Sequence, residues 1–355
     1  MGQGVLEDIL TNESGTQITV FDLDLEGARQ ALERVGGPAA GKVELVEGDI
    51  ADRRAVRAAL AGADVAVSTV GPFYRFGFEV ASTVLSEGVS FVDICDDGDA
   101  TQAELSLSRL AERNGATAVV GMGWTPGLSN VLVSKLAAGL DSVDVDIYWV
   151  GSTTDSEGTA VIGHVFHVIN RDAPMYHDGS WTPMKPVTGH EDVEFPAPIG
   201  KVRTYYVGHP EPLTIPLHLK VRNVNLKGAL IPDEMNSIAK LLDDLGFLTE
   251  ENRIRALMRG LHPLLPQLSK VGGKAPPVSG LVVRVSGLVG GAKVTRTAAC
   301  VDSMRRLTGI PPAIVAAQIA SGKLRKPGVY SPEGAVEPDG FLAALAKRQI
   351  EVEVH

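Results

Sequence analysis

The chain has 355 residues, 44% hydrophobic and 21% charged, with a formal net charge of -10. That is ordinary for a globular protein of about two domains, and the acidic balance argues against a nucleic-acid partner, because phosphate backbones are held by basic faces. Cys95 and Cys300 lack the spacing of a metal site, no run of about 18 apolar residues marks a membrane span, and the start MGQGVLEDIL has neither the basic stretch nor the cleavage site of a signal peptide. We therefore expect a cytoplasmic protein with no metal and no membrane association.

Residues 4–10 read as a short helix closed by Asn12 and Gly15. The β-branched run Gln17–Phe21 reads as a strand ending at Asp22, and Leu25–Val35 as a helix stopped by Gly36-Gly37. Strands follow at Val43–Val46, Asp64–Thr69, Phe91–Cys95 and Thr117–Val120. Between them lie helices at Arg53–Leu60, Phe78–Leu85 and Ala100–Asn114. This alternation predicts an α/β domain with a Rossmann-type doubly wound parallel sheet, which places a ligand beyond the carboxyl ends of the strands. Those ends carry Asp22, Asp49, the segment with Thr69, Gly71 and Pro72, Asp96-Asp97, and the loop from Gly121 to Asn130.

A dinucleotide fold begins with a strand, a glycine turn and a helix whose N-terminus holds the pyrophosphate. Here the sequence opens inside that turn, so the first strand is missing from it as given. We read Gly2 as the third glycine of the turn and Asp22, about 20 residues on, as the ribose-binding acid; the bland alternative is a flexible terminus and a helix cap. The carboxylates of Asp22 and Asp24 repel a 2′-phosphate, which favours NAD over NADP. Asp49 is the candidate on the adenine side.

The loop GMGWTPGLSN, residues 121–130, resembles the G-x-x-P-G-x-x-N signature of the saccharopine dehydrogenase superfamily. VGPFYRFG (70–77) and FVDICDD (91–97) look like the loop after its fourth strand and its fifth strand. GHPEPLT (208–214) also resembles a motif of that superfamily. LLDDLGFLTEEN (241–252), LHPLLPQLSK (261–270) and RLTGIPPAIVAAQIASGKL (306–324) resemble its lysine dehydrogenase branch. The resemblance implies NAD(P)-linked oxidation of an amino acid or opine-like amine, or the reverse reductive amination. It also implies a second α+β domain with a mixed sheet, and a homodimer. Boundaries are expected at 1–125 for the nucleotide domain, 126–305 for the substrate and dimerisation domain, and 306–355 for a C-terminal segment packing back on the first.

Within the second domain Val143, Val145, Ile147 and Trp149 alternate as a half-buried strand. Arg203–Val207 and Leu213–Leu219 read as strands, Pro232–Leu245 and Glu251–Leu265 as helices. Leu281–Leu288 and Ala292–Ala299 read as a hairpin turning at Gly290-Gly291. Amine oxidation needs a base, for which Asp97 and His209 are candidates; His titrates near neutrality. Arg75 suits a substrate carboxylate, with Asp97, Thr125, His164, His167 and Glu211 lining the substrate. Gly123 and Trp124 are expected against the nicotinamide, and Thr125 to cap a helix that Pro126 begins. Two rival readings are a non-catalytic scaffold with this fold and a reductase of another substrate class, such as a lipid-linked enoyl group.

Overall fold

The computed structural model describes residues 1–35, 43–153, 172–233 and 276–355, with single positions 41, 155, 236 and 241. His164, His167 and the helix expected over 251–265 lie outside the described residues, as does most of that expected over 232–245. In chain order the elements are α1 (Gly2–Asn12), β1 (Ile18–Asp22), α2 (Leu25–Val35), β2 (Val43–Glu47), α3 (Arg53–Ala59), β3 (Val65–Ser68), α4 (Phe73–Ser86), β4 (Ser90–Asp93), α5 (Gly98–Leu105), α6 (Ser108–Asn114), β5 (Thr117–Val119) and α7 (Leu128–Ala137). The chain continues through β6 (Asp141–Ser152), β7 (Ala173–His177), β8 (Ser180–Met184), β9 (Glu191–Phe195), β10 (Gly200–Tyr206), α8 (Glu211–His218) and β11 (Val221–Ile231). It ends with β12 (Ser279–Val289), β13 (Ala292–Asp302), α9 (Met304–Ala320), β14 (Gly328–Tyr330), α10 (Pro332–Ala335), α11 (Pro338–Lys347) and β15 (Glu353–Val354).

Two compact units divide the chain: Met1–Leu128 with Arg305–Arg348, and Ser129–Met304 with Gln349–His355. The first is the expected α/β arrangement with parallel strands. Its strands form a four-stranded sheet of order β14-β5-β4-β3 and a separate pair, β1-β2. Strands buried on both faces read as apolar runs, and Phe91, Val92, Ala118 and Val119 are fully enclosed. Val84, Leu85, Ala111 and Val329 pack with Phe91 and Ala118 in one apolar cluster. The β1-β2 pair is only half-buried along its length.

Three local expectations differ from the structure. The helix read as Ala100–Asn114 is two, α5 and α6, parted where Ser106 turns its hydroxyl back onto Ala103 O. Helix α4 starts at Phe73 and not Phe78, because a carboxylate from another loop, Asp97, accepts the Tyr74 amide at 2.9 Å and serves as its N-terminal partner. The strand read at Leu213–Leu219 is helix α8, whose first turn holds Pro212, a position where proline is tolerated.

The second unit carries one mixed sheet of order β15-β13-β12-β6-β11-β10-β9, with the β7-β8 hairpin on β11. Among the described strands only β6 and β11 run parallel, and the other pairs are antiparallel. The β12-β13 hairpin turns through Gly290 and Gly291, at φ 57° and 86°, the sign a tight hairpin turn requires. Val143, Val145 and Ile147 of β6 lie buried in register with Val221, Val224 and Leu226 of β11. The alternate residues Asp144, Asp146 and Tyr148 bond Asn223, Asn225 and Glu191.

In the first unit Arg348 closes α11 over α1: its Nε donates to Asp8 at 2.9 Å and its Nη2 to Glu13 at 3.0 Å. Asp8 and Arg348 are 3% and 9% exposed in their side chains, so removing one partner leaves a buried charge uncompensated. Arg348→Ala should cost about 3–5 kcal/mol of stability. An Asp8→Ala/Arg348→Ala double variant should lose less than the sum of the singles in urea unfolding.

Candidate functional site

In the first unit, helix α1 opens at Gly2 with no side chain capping it. A Cβ on Gly2 would stand 2.9 Å from Thr69 Oγ1, so the helix start meets the end of β3 at a distance that a side chain would spoil. This is the close helix-to-strand approach that the third glycine of a dinucleotide turn serves. Asp22 ends β1 with an exposed carboxylate whose Oδ1 accepts the Asp24 amide. Asp49 accepts the Ala51 amide and shapes its own turn. Gly71 and Pro72 lead into α4, and Arg75 lies exposed with its guanidinium 4.8 Å from the Phe76 ring centre. The structure thus brings Gly2 and Thr69 together and leaves the Asp22 carboxylate exposed at the end of its strand.

The loop 121–127 is folded on itself. Gly127, at φ 124°, has a Cβ direction that points 2.1 Å from Gly123 O, so only glycine fits. The Leu128 amide donates to Gly123 O at 3.0 Å. Helix α7 begins at Leu128, after Pro126 has already turned the chain, and this removes the expected cap role of Thr125. Gly123, Trp124 and Thr125 are all buried.

This loop is tied to β4 through one carboxylate. Asp93, fully buried, accepts the Gly121 amide at 2.7 Å and the Cys95 amide at 3.0 Å, and the Met122 amide bonds Asp93 O at 2.7 Å. Glu104 of α5 is likewise fully buried, its carboxyl seated where a Cβ on Gly77 would lie. Burial raises Asp93 to about 6, against the pull of its backbone amides. Burial, then the Asp93 charge, raises Glu104 well above the usual carboxylate range. Asp93 Oδ2 and both Glu104 oxygens meet no N–H or O–H donor among the described residues, and the two carboxyl groups interact with each other. Burial also pushes the Cys95 thiol well up. Asp97, also buried, holds α4 through Tyr74 N.

In the second unit His209 and Glu211 form a buried group. The His209 ring stacks on Trp149 with centroids 5.4 Å apart and an interplanar angle of 22°. Its Nδ1 lies 3.9 Å from Glu211 Oε2. Ser129 donates to Glu211 Oε1 at 2.8 Å, and Asn130 Nδ2 reaches Thr214 Oγ1 at 3.4 Å. Trp149 lies flat because β11 opposes it with Gly228, where any Cβ would strike the indole at 2.1 Å. A carboxylate beside an imidazole steadies the protonated ring, the arrangement of a general base and its orienting acid. Asp93, Glu104, Ser129 and Trp149 are the residues sequence reasoning passed over; the VD of FVDICDD was the one local signal for Asp93. Among the described residues no cluster of three His, Cys, Asp or Glu could hold a metal, and no helix is long and apolar enough to cross a membrane.

The first unit is thus an α/β domain of dinucleotide-binding type, coupled in sequence to a mixed-sheet second unit. Residues 1–119 match the family model described as the saccharopine dehydrogenase NADP binding domain, and the fold is similar to that of a saccharopine dehydrogenase. The L-glutamate-forming saccharopine dehydrogenase of Saccharomyces cerevisiae, in its apo form, matches at a TM-score of 0.69 and 16% identity, covering 100% of this chain and 97% of that one. More distant matches are a DAP dehydrogenase of C. glutamicum (TM-score 0.45, 14% identity, 94% and 99% covered) and an amine dehydrogenase of Mycobacterium smegmatis (TM-score 0.44, 10% identity, 92% and 97% covered). The superfamily resemblance read from the motifs agrees with the first two of these findings.

The buried carboxyl pair has a pH signature. Both groups hold protons more tightly folded than unfolded. Their contribution to stability is therefore fully present below about pH 4 and is lost as pH rises through about 6 and beyond. Glu104→Gln, neutral at every pH, should gain in urea midpoint relative to the wild-type chain between pH 4.5 and pH 8; a gap that stays constant over that range would contradict a proton shared by the pair.

Proposed function

We propose that the protein is a nicotinamide-dependent oxidoreductase acting on the CH–NH bond of an amino acid or an opine-like secondary amine. The observation that carries this is the family match over residues 1–119, together with a Gly2, Thr69 and Asp22 arrangement suited to a dinucleotide. The chemistry such a cofactor supplies is hydride exchange with the carbon bearing the nitrogen. The chain's part is to hold the amine and to move protons. We assign the base to His209: it takes a proton from the substrate ammonium so that the nitrogen lone pair is free, and Glu211 and Trp149 keep its ring fixed. Asp97 is the weaker candidate, because its carboxylate already accepts an amide. Arg75, exposed on α4, is assigned to a substrate carboxylate.

We also propose NAD as the preferred nucleotide, although the matched family is described by NADP. The reason is electrostatic: Asp22 and Asp24 stand side by side at the end of β1, joined by the Asp24 amide to Asp22 Oδ1 bond of 2.9 Å, and a 2′-phosphate there meets two negative charges. Titration calorimetry with NADH and NADPH tests both proposals at once. Tighter NADH binding supports them, and binding of neither nucleotide leaves the scaffold reading. Asp22→Ser should shift the NADH-to-NADPH preference by about 10-fold toward NADPH, the size of one lost charge contact. His209→Gln should lower kcat about 10²- to 10⁴-fold in amino-acid oxidation while leaving NADH binding unchanged.

A further inference from the structure

Three stretches singled out in the sequence converge on one place. VGPFYRFG supplies Gly77, FVDICDD supplies Asp93 and Cys95, and GMGWTPGLSN supplies Gly121. What joins them is Glu104, which belongs to none of the three. A Cβ on Gly77 would lie 2.2 Å from Glu104 Oε1, so the carboxyl occupies the space where any other residue would carry a side chain. Glu104 also interacts with Asp93, whose Oδ1 accepts the amides of Cys95 and Gly121.

We propose that Glu104 and Asp93 act as a proton-sharing pair that positions the 121–127 loop, and through it the surface against which the nicotinamide end of the cofactor rests. The inference rests on the proposed nicotinamide-dependent function. The pair does not touch the reacting atoms; it is a positioning device. Asp93 Oδ1 fixes where Gly121 begins the loop, and Glu104, carrying the proton, gives Asp93 Oδ2 a donor in a region where none is otherwise at hand. Two adjoining carboxylates cannot both ionise in a buried place, so one shared proton leaves a single charge, balanced by two backbone amides. The remaining titratable groups facing the pair are Cys95 and Asp97 on the loop after β4. Gly77 on α4 brings no titratable group.

The test uses the full chain and four variants, Asp93→Ala, Asp93→Asn, Glu104→Gln and Glu104→Ala. Two readouts are taken: hydrogen–deuterium exchange of the peptide spanning residues 119–128, and titration with NADH and with ADP-ribose, which lacks the nicotinamide. Expected is faster exchange at that peptide in Asp93→Ala and Glu104→Ala. Rescue should follow in Asp93→Asn, which keeps an acceptor for both amides, and in Glu104→Gln, which keeps a neutral donor. NADH affinity should fall about 10- to 100-fold in the two alanine variants, with ADP-ribose affinity held. Unchanged exchange in Asp93→Ala overturns the proposal. Equal weakening of NADH and ADP-ribose also overturns it, since that is the mark of general loosening. If the wild-type chain binds neither nucleotide, the proposed function has failed, and the exchange pattern alone decides whether the pair holds the loop.

Discussion

The nucleotide unit depends on a single buried carboxylate. Asp93 ends β4, and from there it accepts one amide from its own loop and one from the loop after β5. A charge in such a place is costly unless it is hydrogen-bonded, and once satisfied it fixes geometry more firmly than apolar contact does, because its bonds have direction. The ends of two adjacent parallel strands are therefore locked to one another at the edge where ligands of this fold class bind. Glycines at 77 and 127 let a carboxyl group or backbone come closer than a methyl group would permit, and Gly121 turns at a φ of 70° that favours glycine.

The second unit solves a different problem with the same means. A broad sheet needs one face sealed, and β6 presents Val143, Val145, Ile147 and Trp149 to it. Trp149 is too large to stand beside another side chain, and Gly228 in the facing strand gives it room. With the indole flat, its surface offers His209 a stacking partner, and Glu211, at the start of α8, falls beside the ring. The orientation of a polar pair is thus set by an apolar residue and a missing side chain.

Much of this fold was legible because its strands are β-branched runs punctuated by glycine and aspartate. The sequence marks β1, β4, β5 and the β12-β13 hairpin within a few residues. What escaped was decided at a distance. Helix α4 begins early because Asp97, more than 20 residues away, accepts its amide. Leu213–Leu219 carries a strand's residue types, yet prolines at 210 and 212 suit the first turn of a helix. Thr125 and Pro126 have the letters of a helix start, but the Gly123 and Gly127 backbones meet first and spend those residues on a turn. For the site, His209, Glu211, Asp22 and Gly2 stand out by type and spacing. Glu104 does not, since a glutamate within a helix gives no sign that its carboxyl will be enclosed against a glycine of another helix.

Among the described residues β1 and β2 pair with each other, while β3, β4, β5 and β14 make a second group. Cooperativity in a sheet is carried by its ladder of hydrogen bonds and by the core pressed against it. The half-buried β1-β2 ribbon shares neither fully with the enclosed strands. Asp22 lies on that ribbon and Asp93 on the enclosed strands. A bound dinucleotide would then meet both, its ribose side at half-buried strands and its nicotinamide side beside strands that are enclosed.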